Sequence, residues 1–186
     1  MVLHEYFSLD YFNLNLHGGF QKLTSFTQND VLKPGDFIYS PNESCYIQIR
    51  NQPERGNNFN IISICSNNQY RFTINNTNPN VKMFYLFENN QPFLTIATYT
   101  TNTKTIFGKT ISEEVVDKIL FKSKYPFNTL TLDNNGIIKT KYEKRSWNKI
   151  ISTEERIYGC FSQLLEVNPS LCCNPVNSTG IVCPKV

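Results

Sequence analysis

Short apolar runs separated by polar turns dominate the chain. Between Phe37 and Phe107 the apolar segments are Phe37–Tyr39, Cys45–Ile49, Phe59–Cys65, Gln69–Ile74, Val81–Phe87, Phe93–Tyr99 and Thr103–Phe107, rich in β-branched and aromatic residues. Strands recurring about every eight to twelve residues with turn chemistry between them predict an antiparallel meander of the sandwich or barrel kind. Ser40–Ser44, Ser66–Asn68, Asn75–Asn80, Asn89–Pro92 and Thr100–Asn102 read as turns, and Gln52–Asn60 reads as a loop. Asn serves the turns because its short side chain bonds the nearby backbone and tolerates left-handed torsions. Upstream, Tyr6–Phe26 alternates around Gly18-Gly19, which predicts a hairpin, and Lys33-Pro34-Gly35-Asp36 is a turn that strands should flank. Asn128–Leu132, Asn135-Gly136 and Ile137–Lys139 read as strand, turn and strand.

The period changes in two places. Thr110-Ile-Ser-Glu113 has the form of a helix capping box and precedes Glu114–Phe121, where Val115 and Ile119 share a helical face. Ser152-Thr-Glu-Glu155 repeats the form before Arg156–Glu166, a segment with Cys160, Phe161, Leu164 and Leu165 at helical spacing. Two short helices are therefore predicted. The expected architecture is a mainly β antiparallel sandwich, jelly-roll or cohesin-like, over residues 1–150. A helix and a disulfide-tied, cysteine-rich tail over residues 151–186 would pack on it.

The cysteines give the chain its expected compartment. Cys160, Cys172, Cys173 and Cys183 cluster near the end, while Cys45 and Cys65 lie in strand-like segments. An even count with an adjacent pair favours disulfides over metal, because structural zinc wants paired ligands at short spacing and no C-x2-C is present. Neighbouring cysteines do not readily bond each other, so Cys172 and Cys173 should take different partners. Cys160 and Cys183 are the nearest candidates, and Cys45 and Cys65 are left to each other or to the tail. Disulfides imply an extracellular or secreted protein. The opening residues carry no signal peptide, so the expectation is either that the signal has been removed from this sequence or that the chain is one module of a longer secreted protein. Sequons at Asn42, Asn75 and Asn177 suit a glycoprotein.

At 186 residues, with 40% hydrophobic content, the chain can fill a core. No apolar run is long enough for a membrane span. The net charge of +3 is low for a nucleic-acid binder. The basic stretch Lys139–Lys149, with Tyr142 and Trp147 among its cations, reads as a strand with a solvated charged face, with phosphate or RNA binding as the lesser alternative. Aromatic anchors for a binding surface are sought at Tyr142 and Trp147, and at Tyr85 and Phe87 in the apolar run Val81–Phe87, whose commoner role is a central strand.

Catalytic chemistry is sparse. His4 and His17 are the only histidines, both in the first strand region, and nothing in the sequence marks a nucleophile or an orienting carboxylate as their partner. Glu113/Glu114 and Glu154/Glu155 are adjacent in sequence and cannot flank one glycosidic bond from a helix. No phosphate-binding glycine loop or calcium loop occurs, and neither a cofactor nor a metal is expected. The reading is a non-enzymatic binding module for a protein or a glycan, with a cysteine-dependent enzyme as a further alternative.

Two resemblances bear on the partner. Cys160-Phe-Ser-Gln-Leu-Leu165 followed by Leu171-Cys-Cys173 is similar to the cysteine-rich modules of dockerins and scaffoldins in anaerobic-fungal cellulosomes. The chain has Val167–Leu171 where those modules carry Gly-Tyr-Pro, and lacks their later Trp elements, so the resemblance implies a cohesin-like receptor rather than a dockerin. Leu32–Ser40 and Leu130–Gly136 resemble strands of bulb-type mannose lectins, which implies a carbohydrate-binding alternative. That family's sugar-binding pattern is not intact, and Ile137 stands where its asparagine would follow the glycine.

Overall fold

A computed structural model describes residues 20–52, 58–65, 68–74, 78, 80–159 and 161–165. The elements are β1 (Lys22–Leu23), β2 (Ser25–Thr27), β3 (Phe37–Tyr39), β4 (Cys45–Gln52), β5 (Asn58–Cys65), β6 (Asn68–Ile74), β7 (Val81–Glu88), β8 (Gln91–Ile106), β9 (Lys109–Lys122), β10 (Thr129–Leu132), β11 (Ile138–Ser146), β12 (Lys149–Tyr158) and one helical turn, α1 (Phe161–Leu164). They form three sheets, ordered β1-β3-β4-β5-β6, β12-β11-β10-β2 and β7-β8-β9. The fold is mainly β, and among the described pairings only β1 with β3 is parallel.

Alternation along each strand explains the assembly, since successive side chains point to opposite faces. In β7, Val81, Met83 and Tyr85 are buried while Lys82, Phe84 and Leu86 are half-buried. In β11, Ile138, Thr140 and Tyr142 are buried and the residues beyond Glu143 are exposed. These inward positions meet Phe26, Ile38, Ile47, Ile49, Leu94, Ile96, Leu130, Phe161 and Leu164 in one core drawn from all three sheets.

The turns follow the residues that favour them. Pro34 and Gly35, the latter at φ 99°, make the turn before β3, closed by Asp36 N–H donating to the Lys33 carbonyl at 3.0 Å. Asn89 and Asn90, at φ 51° and 61°, make the two-residue turn between β7 and β8. The Asn-Gly hairpin is also present as a longer loop: Gly136 sits at φ 85°, and the Asp133 carboxylate accepts the N–H groups of Asn135 and Ile137 at 2.8 and 2.9 Å.

The first of the two expected helices is a strand. Val115, Val116 and Ile119 belong to β9, in register with Thr100, Tyr99 and Ala97 of β8. Phe107-Gly108, at φ 52° and 77°, forms a tight turn that folds the chain straight back on β8, so the Thr110–Glu113 capping box lies within a ladder. The second capping box meets the same outcome, because the Trp147-Asn148 turn sends Lys149–Tyr158 back along β11. Of the Arg156–Glu166 helix only α1 is present among the described residues. The expected turn at Thr100–Asn102 is absent as well: β8 runs through it, with Asn102 paired to Glu113. Nor is β7 a central strand; it is an edge of its sheet, touched on its outer side by the bridge from Leu32 to Met83. The Gly18-Gly19 hairpin turn and the tail bearing Cys172, Cys173 and Cys183 lie outside the described residues.

Candidate functional site

Among the described residues no group of three or more His, Cys, Asp or Glu is placed to hold a metal ion. No described helix is long and apolar enough to cross a membrane. The surface features that stand out are two hairpin arms.

The first arm is the far part of β8 and β9. From Thr101 to Glu114 every residue is exposed, so both faces of a two-stranded ribbon meet solvent. The arm leaves the body where β7 begins: Val81 pairs with Thr98, and Tyr99 N–H donates to the Asn80 carbonyl at 2.9 Å. Beyond that point the outer edge of β8 has no strand beside it among the described residues. Register shifts at Ile96/Ala97 and Thr98/Tyr99 mark the exit, as bulges do where a strand must bend and twist.

The root of this arm is braced. The Lys82 ammonium lies 4.5 Å from the Tyr99 ring centroid and pairs with the Glu114 carboxylate, while Phe84 meets Tyr99 edge-on at 5.8 Å. Burial, with the Glu114 charge adding to it, pushes the Tyr99 phenol above its ordinary range. At the far end Phe107 is fully exposed, flanked by Ile106 and Ile111, each about half-exposed.

The second arm is the far part of β11 and β12. It carries Trp147 at its tip, 98% exposed and held at φ 57° by the turn. Lys144 pairs with Ser152 and Arg145 with Ile150, which leaves Ile151 as the extra residue of a bulge beside the tip. Ile150 and Ile151 are both exposed. The basic stretch Lys139–Lys149 is thus a strand only as far as Ser146; the Trp147-Asn148 turn follows and Lys149 opens β12, with Lys139, Lys144, Arg145 and Lys149 exposed. Lys141 faces Glu155 at 3.7 Å and Arg145 faces Glu143 at 3.3 Å, both exposed pairs that contribute little. Among the described residues no carboxylate pairs with Lys144 or Lys149.

The four aromatic anchors sought in the sequence separate. Tyr85 is buried, stacks on Phe26 at 4.8 Å and donates its hydroxyl to the Phe26 carbonyl at 2.7 Å. Burial above all raises its phenol far beyond the ordinary range. Tyr142 is also buried, in the common core. Phe87 and Trp147 are at the surface, on different sheets. Phe107, which alternation alone made a strand residue, was missed; the glycine that follows it, Gly108 at φ 77°, was the available turn signal.

A shallow cleft beside the second arm is lined by Tyr125, Glu155, Arg156, Tyr158 and Gln163. The Arg156 guanidinium stacks on the Tyr125 ring at 3.4 Å, and Gln163 Oε1 accepts the Gly159 N–H at 2.8 Å. These contacts hold α1 and β12 to the loop before β10. Of the six cysteines Cys45 is described in full: it is buried, and the β4–β5 register sets it directly opposite Cys65.

No protein family matches the chain, and neither curated proteins nor solved structures provide a match.

Proposed function

We propose that the chain is a non-catalytic recognition module that docks a protein partner through the β8–β9 arm, the partner contributing an extended segment beside the edge of β8 that no described strand pairs. One observation carries this reading: the arm is exposed on both faces from Thr101 to Glu114. A two-stranded ribbon alone is marginal in water, and an open strand edge presents a row of N–H and C=O groups that another chain can pair. Phe107, Ile106 and Ile111 supply apolar anchors at the end of that edge.

The same reading keeps the protein extracellular, with Cys45 as half of a buried disulfide. Cys65, opposite it in register, and Cys160, next to core residue Phe161, are the partners to separate by mapping peptides of the unreduced protein.

The docking test is a shortened arm, in which Asn-Gly joins Thr100 to Val115 in place of residues 101–114. None of the core residues lies in the deleted segment, so the body should keep its thermal transition. Loss of partner binding with the body intact supports the reading. Full retention of binding by the shortened protein refutes it.

A further inference from the structure

The second arm carries a different chemistry. Lys144-Arg-Ser-Trp-Asn-Lys-Ile-Ile-Ser152 contains three cations and no carboxylate. Trp147 projects 98% exposed from a tight turn, and Ile150 and Ile151 are 46% and 68% exposed on adjacent positions of β12. Ile151 is the extra residue of the bulge and Trp147 lies in the turn itself, so three exposed apolar side chains gather at the tip among its cations. A lipid interface closes around a tip from all sides.

We propose that the tip of the β11–β12 arm inserts into the interfacial layer of a bilayer bearing anionic headgroups. Trp147, Ile150 and Ile151 enter the headgroup and acyl boundary, where the indole ring has an apolar body to bury and an N–H to leave near water. Lys144, Arg145 and Lys149 remain level with the headgroups, each stem lying along apolar surface with its charge at the anionic layer. Charge sign picks this arm: residues 138–158 hold six Lys/Arg against three Glu, whereas residues 100–118 of the other arm hold three Lys against Glu113, Glu114 and Asp117. The proposal is independent of strand docking at the β8–β9 arm.

The chain has a single tryptophan, so its fluorescence reports this tip alone. The full chain is titrated with vesicles of phosphatidylcholine and with vesicles in which part of that lipid is replaced by phosphatidylserine. The expected result is a blue shift of the Trp147 emission on the anionic vesicles, quenching by shallow brominated lipids, and reversal by salt. Replacing Lys144, Arg145 and Lys149 by Gln should weaken partitioning on the order of a hundredfold, since each cation near an anionic surface is worth about fivefold. Trp147→Ala should weaken it about tenfold through lost apolar burial, with sedimentation of the vesicles as the readout. Emission that stays that of a water-exposed indole on anionic vesicles overturns the proposal, as does binding unchanged in both variants. A shift of the same emission by a protein partner, with none on vesicles, assigns the tip to that protein instead.

Discussion

Asp36 is the residue whose substitution the structure describes most closely. It is 2% exposed, immediately before β3, and its two carboxylate oxygens accept the N–H groups of Gln21 and Lys33, each at 2.8 Å. The carboxylate therefore ties the approach to β1 to the Pro34-Gly35 turn, beside the bond from Phe37 N–H to the Gln21 carbonyl at 2.9 Å. Asp36→Asn keeps the shape but leaves one oxygen for two donors and turns an amide N–H toward a backbone N–H. One lost bond with a conflicting donor costs about 1–3 kcal/mol.

The pH dependence gives a sharper test of the same site. Burial raises the Asp36 carboxyl above 3.8, with the two backbone N–H groups opposing the shift in part. A raised native value means that the folded state holds the proton more tightly than the unfolded chain. The stability contributed by that proton is fully present below 3.8 and is lost as pH climbs through the native value. Asn carries no such proton. The stability gap between wild type and Asp36→Asn should be widest below pH 3.8 and narrower near neutrality. Urea midpoints of both proteins across that range read the gap directly, because other carboxylates cancel in the difference. A gap that widens toward neutral pH, or one under about 0.5 kcal/mol throughout, refutes the account.

Tyr85→Phe keeps the ring stacked on Phe26 and removes the hydroxyl from its 2.7 Å bond; stability should fall by about 1 kcal/mol in chemical denaturation. Gly108→Ala meets no atom within 4 Å but retains φ near 77°, so a penalty of about 1–2 kcal/mol should appear as faster amide exchange at Thr105 and Thr110, with the global midpoint unchanged.

Much of the fold was legible because alternation and turn chemistry are local. Val81–Phe87, the Lys33–Asp36 turn, the Asn89-Asn90 turn and the Asp133–Gly136 loop all declare themselves within a few residues. The failures at Glu114–Phe121 and Arg156–Glu166 have one cause. A capping box and a run containing Val115, Val116 and Ile119 suit either a helix or a strand, and what decides is the segment lying alongside. The turns at Phe107-Gly108 and Trp147-Asn148 supply that neighbour, as β8 in one case and β11 in the other.

The surface anchors were harder to read, since alternation states which face a residue takes but not where the core ends. Phe87 shares parity with buried Met83 and Tyr85, yet it lies at the strand's end and is 53% exposed. Tyr142 falls on the inward face before its strand leaves the body. Trp147 sits at the turn itself, where parity no longer governs direction.

The pairing of β2 with β10 sets Phe26 against Leu130, roughly a hundred residues later in the chain. During synthesis, then, β2 emerges long before its hydrogen-bonding neighbour exists, whereas each arm joins strands only two residues apart. Local hairpins close within microseconds and distant pairs wait on loop entropy. The arms should form early, with the β2 edge closing the barrier-crossing step. Until residues 129–131 clear the ribosome, the Phe26 strand lacks its hydrogen-bonding neighbour and stays open to a chaperone.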